Sequence, residues 1–269
     1  MHPLVVRRLT VIAAREVAPS MRRITLGGPE LAGFTAPGPA DHLKVLFPDP
    51  ATGELIVPVI DAEGKRSTPH GTPISRDYTP LQYRPDAHGG PELDIDFLLH
   101  GPEGIASDWA GRAAPGDELA IVGPRGSLLA PKGIGEAVLI ADETALPATR
   151  RWLQAFGPEL PVTGLFEVAD PGMSGYLRDL DEGYSQRVLR WYTGGDRRER
   201  VLEALQELHI GPGTFIFLAG ETAALIPLRR YLRRELGLPR EQVSAHGYWK
   251  PGVAAFDHHA PIDPDDPED

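Results

Sequence analysis

The hydrophobic pattern of the chain changes once, near residue 133, and that change divides it into two kinds of fold. Before it, Leu4–Ala14, Met21–Leu26, His42–Phe47, Leu55–Ile60, Arg76–Tyr83, Glu92–Leu99 and Glu118–Val122 are short β-prone runs. Clusters such as Gly27-Gly28-Pro29, Ala36-Pro37-Gly38-Pro39 and His88-Gly89-Gly90-Pro91 break them apart. Short strands at this spacing predict a small antiparallel barrel, interrupted by one helix near Ile105–Gly111. After residue 133, strands and helices alternate. Glu136–Ala141, Val162–Val168, Arg187–Tyr192, Thr214–Ala219 and Val243–Trp249 read as strands. Ala145–Phe156, Arg197–Leu208 and Ala223–Leu236 read as helices, the first capped by Asp142 or Thr144. This rhythm predicts a parallel sheet with helices on both faces. The expected organisation is a β-barrel plus α/β fold: a barrel over 1–133, an α/β domain over 134–253, and a disordered acidic tail over 254–269.

Composition removes several classes of function. The 269 residues carry a formal net charge of −11, which argues against a nucleic-acid partner. No apolar run is long enough for a membrane-spanning helix, and the first residues lack the pattern of a secretory signal, so a cytoplasmic location is expected. There is no cysteine, which excludes disulfides, iron–sulfur clusters and thiol chemistry. Any redox function must then use a bound organic cofactor. The nine histidines show no paired ligand spacing, so no protein-bound metal is expected. No Gly-x-Ser-x-Gly elbow supports hydrolysis.

Three short motifs carry the chemistry. In Arg76-Asp77-Tyr78-Thr79, Arg76 and Tyr78 share one face of an extended segment. A cation and a ring there suit a phosphate and a planar group, although an ordinary strand aromatic beside a surface charge would read the same. His100-Gly101 is followed by the small residues Gly104, Ala106 and Ser107 at a helix start, where backbone N–H groups can meet a diphosphate. Gly123-Pro124-Arg125-Gly126-Ser127 adds a tight turn that is weak evidence on its own. The three in this order, before an α/β half, point to a flavin site. The α/β half lacks Gly-x-Gly-x-x-Gly: the turn after Ala141 is Asp142-Glu143-Thr144-Ala145-Leu146-Pro147. A dinucleotide dehydrogenase of the usual Rossmann kind is therefore not expected.

Along residues 5–252 these motifs resemble the siderophore-interacting protein family of FAD-dependent ferric-siderophore reductases, within the ferredoxin-reductase-like superfamily. Further matching stretches are Asp96-Phe97-Leu98-Leu99-His100-Gly101, Ala141–Ala148, Ala219-Gly220-Glu221 and Gly247-Tyr248-Trp249-Lys250-Pro251-Gly252. Gly104-Ile105-Ala106-Ser107 departs from the family's usual Gly-Pro-Ala-Ser, a change that removes no backbone donor.

The resemblance implies an FAD-binding barrel and an NAD(P)H-binding α/β domain. It implies FAD contacts from Arg76, Asp77, Tyr78, Thr79, His100, Gly104, Ala106 and Ser107. Asp142 and Thr144 are placed near the adenine end, and Glu221 and Trp249 among the cofactor contacts. For Asp142, Thr144 and Glu221, helix capping is an equal reading. The run Asp196-Arg197-Arg198-Glu199-Arg200 is read as a solvated helix face, with contact to an NADPH 2′-phosphate as the alternative. Lys44, Arg125 and Lys250 stand where relatives carry a basic group near the flavin edge, the positive charge an acidic protein needs to attract an anionic ferric siderophore, with scattered surface charge as the alternative. The implied activity passes electrons from NAD(P)H through FAD to chelated Fe(III) in a monomer, with no catalytic acid or base. A general flavin reductase, a ferredoxin-linked reductase and a non-catalytic siderophore- or flavin-binding protein remain the alternatives.

Overall fold

The structure, a computed structural model, describes residues 2–61, 63–101 and 104–266. It divides into two compact units at Leu129/Ala130, slightly before the expected boundary at 133. Among the described residues no helix is long and apolar enough to cross a membrane.

The first unit holds β1 (Val6–Ala18), β2 (Met21–Gly27), β3 (Leu43–Phe47), β4 (Val59–Ile60), β5 (Arg66–Ser67), β6 (Ile74–Tyr78), β7 (Pro80–Arg84), β8 (Glu92–Leu98), α1 (Ile105–Arg112) and β9 (Glu118–Val122). Seven strands form one antiparallel sheet in the order β6-β3-β9-β1-β2-β8-β7. Strands β6 and β7 are its two edges, yet only Thr79 separates them in sequence. The sheet therefore curls until one residue bridges its ends. The single strand expected over Arg76–Tyr83 is thus two strands. Of the run Leu55–Ile60, only Val59–Ile60 pairs, with Arg66–Ser67 in a separate ribbon.

Period-two alternation builds the core of this unit. Leu93, Ile95 and Phe97 of β8 point inward with Leu9, Val11, Ile24, Leu26, Val45 and Phe47. Trp109 of α1 closes one end, with ring centroids 5.6 Å from Phe47 and 6.0 Å from Phe97. Each such side chain contributes about 1.5–3 kcal/mol on burial. The alternate residues Asp94 and Asp96 project from the other face. Arg84 reaches Asp94 at 2.7 Å, and Arg23 reaches Asp96 at 2.7 Å. These cross-strand pairs fasten β8 to β7 and to β2.

The second unit holds β10 (Glu136–Asp142), α2 (Leu146–Phe156), β11 (Val162–Glu167), α3 (Arg178–Asp181), β12 (Arg187–Tyr192), α4 (Arg197–Gln206), β13 (Thr214–Glu221), α5 (Thr222–Arg230) and β14 (Val243–Trp249). The sheet is parallel, in the order β12-β11-β10-β13-β14. Strand β13, Thr-Phe-Ile-Phe-Leu-Ala-Gly-Glu, is buried along its whole length, as a strand covered on both faces must be. Phe215 and Phe217 meet Trp152 of α2, while Ile216 and Leu218 join Val201, Leu205, Leu225 and Leu228 of α4 and α5. The strand order reverses between β10 and β13, so the crevice at their carboxyl ends is the expected ligand position.

The acidic tail differs from its expected disorder. Residues 254–266 form turns laid on the second unit, with Ile262 buried in the α4–α5 core. Asp263 pairs with Arg230 at 2.5 Å, and Asp266 pairs with Arg229 at 3.0 Å and with Arg234. One apolar anchor and arginines on α5 and its π-helical continuation Tyr231–Glu235 outweigh the low hydrophobicity that suggested disorder. Residues 267–269 of that expected tail lie outside the described residues.

Candidate cofactor and substrate site

In the first unit, the Arg76–Thr79 motif sits at the seam of the curled sheet. Register places Tyr78 opposite Leu43 and Arg76 opposite Val45, so both project from the side of the strand that carries the core. The Tyr78 ring packs 4.3 Å from Phe97, between centroids, at 41°. Burial pushes the Tyr78 phenol above its ordinary pKa, against a smaller downward pull from Arg76. Among the described residues, the one hydrogen bond of the Arg76 guanidinium goes to the Ser75 carbonyl at 2.7 Å. Thr79 is buried at the joint between β6 and β7.

Asp77, grouped with these residues in the sequence reading, projects from the opposite side of β6. There it accepts from Lys44 at 2.9 Å. Lys44 is accordingly on the other face of its strand from Arg76 and Tyr78. Arg125 is exposed in the turn that follows a cis Gly123–Pro124 bond.

In the second motif, the described residues on either side of 102–103 are tied together. Ser107 Oγ accepts from His100 N at 3.0 Å and donates to the Gly101 carbonyl at 2.8 Å, so this hydroxyl fastens the end of the β8 segment to the first turn of α1. Gly104 precedes α1, and among the described residues no side chain caps that helix start. A Cβ built onto Gly104 would lie 2.4 Å from His100 Cε1, so a larger residue there would push the exposed His100 ring off this backbone. Ala106 is buried in the first turn of α1. Pro102 and Glu103, quoted within the same motif, lie outside the described residues.

In the second unit, Asp142 gathers the carboxyl ends of three strands. Its Oδ1 accepts from Thr144 N at 2.9 Å and from Thr144 Oγ1 at 2.5 Å; it thus caps the short Glu143–Ala145 turn, not α2 as expected, because that turn intervenes and Ala145 stands at the start of the helix. Its Oδ2 accepts from Glu221 N at 2.8 Å and from Trp249 Nε1 at 2.8 Å. Burial raises the Asp142 pKa, and these hydrogen bonds oppose the shift. Gly220, with φ +149, is obligatory here because a Cβ would come within 2.6 Å of the carboxylate. Thr222 Oγ1 donates to the Trp249 carbonyl at 3.1 Å, so Trp249 is held at both its backbone and its indole nitrogen while its ring stays exposed. Lys250 follows, exposed.

A network at the same edge escaped the sequence reading. Glu167, at the end of β11, meets Arg197 at 3.2 Å and Arg198 at 3.1 Å, and Arg198 also pairs with the buried Glu221. The arginines read as a solvated helix face therefore fold back over the strand ends. A cavity of about 20 Å³, room for about one water, lies beside Asp142, Glu167, Gly220 and Glu221. The available signal was the position of Glu167 at a strand's carboxyl end.

Comparison with known proteins matches both units. Residues 10–128 fit the siderophore-interacting FAD-binding domain, and residues 135–252 fit the siderophore-interacting protein domain. The chain belongs to the siderophore-interacting protein family. It is 36% identical over 248 residues to an NADPH-dependent ferric-chelate reductase of Escherichia coli, covering 90% of this chain and 92% of that one. It is 30% identical over 260 residues to the ferric vibriobactin reductase ViuB of Vibrio cholerae, covering 94% and 92%. A siderophore utilization protein from T. fusca superposes with a TM-score of 0.85 at 37% identity, over 97% of this chain and 98% of that one.

The first unit is thus an FAD-binding domain, and its residues fit the group. Arg76 presents a guanidinium whose one described hydrogen bond is to a carbonyl, in a chain of net charge −11. The uncapped start of α1 offers N–H donors behind a glycine. Edge strand β6 pairs on one side only.

Proposed function

We propose that this member of the siderophore-interacting protein family is a ferric-siderophore reductase, drawing electrons from NAD(P)H by way of FAD and releasing iron as Fe(II). The observation that carries the reading is the Arg76–Thr79 motif at the barrel seam, with a guanidinium that pairs with no described carboxylate, in a chain matched by the family over both units. Bound FAD supplies the capacity to accept an electron pair and release electrons singly, which side chains lack. Arg76 would neutralise the diphosphate and Tyr78 would flank the planar ring system, with Thr79 at the same joint. Gly104 and Ala106 would offer N–H donors to the diphosphate, beside the hydrogen bonds by which Ser107 holds His100 and Gly101. In the second unit, Glu221 and Trp249, held by Asp142, form the edge for the nicotinamide nucleotide. The names of the E. coli and V. cholerae relatives support NADPH as donor and a ferric chelate as acceptor. Lys44, Arg125 and Lys250 supply the positive charge for an anionic chelate, and outer-sphere electron transfer requires no acid or base from the chain. The same reading takes the working form to be a monomer in the cytoplasm, with ferredoxin as a second donor.

The test is anaerobic. NADPH or NADH is mixed with the purified yellow protein, and a ferric siderophore and an Fe(II) trap are added afterwards. Bleaching by one nucleotide, then reoxidation with Fe(II) trapped in proportion, is expected. A protein that cannot be loaded with FAD, or one reduced by a donor but not reoxidised by any ferric chelate, would refute the reading.

A further inference from the structure

The acid inside the Arg76–Thr79 motif serves a lysine. Register sets Lys44 opposite Asp77, between the pairs Leu43–Tyr78 and Val45–Arg76. The pleat therefore turns Lys44 and Asp77 to the same side, away from Arg76 and Tyr78. There the Lys44 ammonium lies 2.9 Å and 3.1 Å from the two carboxylate oxygens. The side chains are 40% and 23% exposed, so solvent and solutes reach the pair. The other strand neighbour of Lys44 is Val122, and the chain turns from there through Gly123 to Arg125. A Cβ built at Gly123 would lie 3.9 Å from Leu43 Cα, so the turn carrying Arg125 runs past the start of β3.

We propose that Asp77 is a specificity-determining residue that acts through Lys44, holding its ammonium in the free protein and so disfavouring strongly anionic ferric chelates relative to neutral ones. This rests on the reading above that Lys44 meets the chelate. An anionic group that reaches Lys44 must either displace the Asp77 carboxylate or bind beside it. Displacement breaks a made ion pair, and binding beside it sets two negative charges together. A neutral chelate meets neither opposition. In a chain with four lysines and a net charge of −11, this acid limits an attraction that Lys44 would otherwise exert in full.

The experiment uses the FAD-loaded protein and two synthetic ligands, the trianionic ferric tris-catecholate and a neutral ferric tris-hydroxamate. Affinities are read by equilibrium dialysis for wild type, Asp77→Asn, Lys44→Ala and the double variant. Thermal melts confirm folding. Asp77→Asn is expected to tighten tris-catecholate binding about three- to tenfold and to leave the tris-hydroxamate within about twofold. In the Lys44→Ala background the gain from Asp77→Asn should fall by more than half on a logarithmic scale. An undiminished gain in that background would make Asp77 a bare long-range charge and overturn the proposal. So would a fall in the FAD-to-protein ratio of Asp77→Asn, which would return Asp77 to the cofactor cradle. If Lys44→Ala weakens tris-catecholate binding and Asp77→Asn changes nothing, the proposal fails while the substrate reading stands. If Lys44→Ala alters neither affinity, the substrate role of Lys44 fails and the proposal with it.

Discussion

Replacing Asp142 by alanine tests whether one carboxylate fastens the carboxyl edge of the parallel sheet. The substitution removes four hydrogen bonds, from Thr144 N, Thr144 Oγ1, Glu221 N and Trp249 Nε1. A buried donor left unpaired costs about 1–3 kcal/mol, and Glu221 N stands at that risk in full. The indole N–H belongs to a residue 37% exposed and recovers part of its loss from water. Loss of the cap on the Glu143–Ala145 turn adds about 1 kcal/mol. Against this, removing a carboxylate whose pKa burial raises returns part of its desolvation cost. The balance is a destabilisation of about 3 kcal/mol, which for a unit of this size lowers Tm by about 10 °C. Urea unfolding followed by tryptophan fluorescence measures it, with Trp249→Phe as the control that removes a single donor and costs about 1 kcal/mol. An Asp142→Ala loss no larger than that of Trp249→Phe would refute the account of Asp142 as a shared acceptor.

Three further outcomes are expected. Arg76→Ala should weaken FAD retention at least about tenfold, read as the flavin-to-protein absorbance ratio after gel filtration, and Arg76→Lys should restore only part because a point charge lacks the guanidinium fork. Gly104→Ala places a Cβ 2.4 Å from His100 Cε1 and so displaces that exposed ring; it should lower flavin content while Tm changes by no more than about 2 °C. Hydrogen bonding from Arg234, then from Arg229, holds the Asp266 pKa down at about 2, and Arg230 holds Asp263 below its ordinary value. A depressed carboxylate stabilises the fold above its unfolded pKa of about 3.9 and loses that contribution as pH falls through the folded one. Protease resistance of residues 254–266 should therefore drop between about pH 4 and pH 2, and Asp266→Asn should show part of that loss at neutral pH.

Periodicity carried the two-unit plan. Alternation in Leu93–Phe97 and the buried runs of β10 and β13 are local signals, and each strand appears where its pattern placed it. Local signals did not locate the break at Thr79, because Arg76–Tyr83 is β-prone throughout. Only the curl of the sheet puts β6 and β7 at opposite edges. The shared face of the candidate cofactor motif was legible because Arg76 and Tyr78 lie two residues apart on one strand, a spacing that survives any register. Asp77 was grouped with them by adjacency in sequence, although in a strand adjacent residues project to opposite sides.

What stayed hidden is partnership across long sequence separations. Asp142 and Trp249 are separated by 107 positions, and neither residue type announces the other. The order of the tail is hidden in the same way, since its aspartates look solvated until Arg229, Arg230 and Arg234 are brought under them. Of the 27 Lys and Arg residues only four are lysines, Lys44, Lys65, Lys132 and Lys250, and several arginines have roles in space that a lysine could not fill. Arg187 donates to the carbonyls of Leu180, Leu153 and Gly157 and rests 3.9 Å over the Tyr184 ring, so one planar fork closes several chain ends at once. Arg22 does likewise at the end of α1, donating to Gly111 and Ala113 carbonyls at 2.7 and 3.0 Å. A lysine supplies a compact charge on a mobile stem and cannot span such sets. That contrast bears on function: arginines such as these are fixed by the fold, whereas Lys44 is held by one partly exposed acid. On the proposed substrate role of Lys44, a positive charge exchanged with substrate is better carried by a lysine so held than by an arginine built into the scaffold.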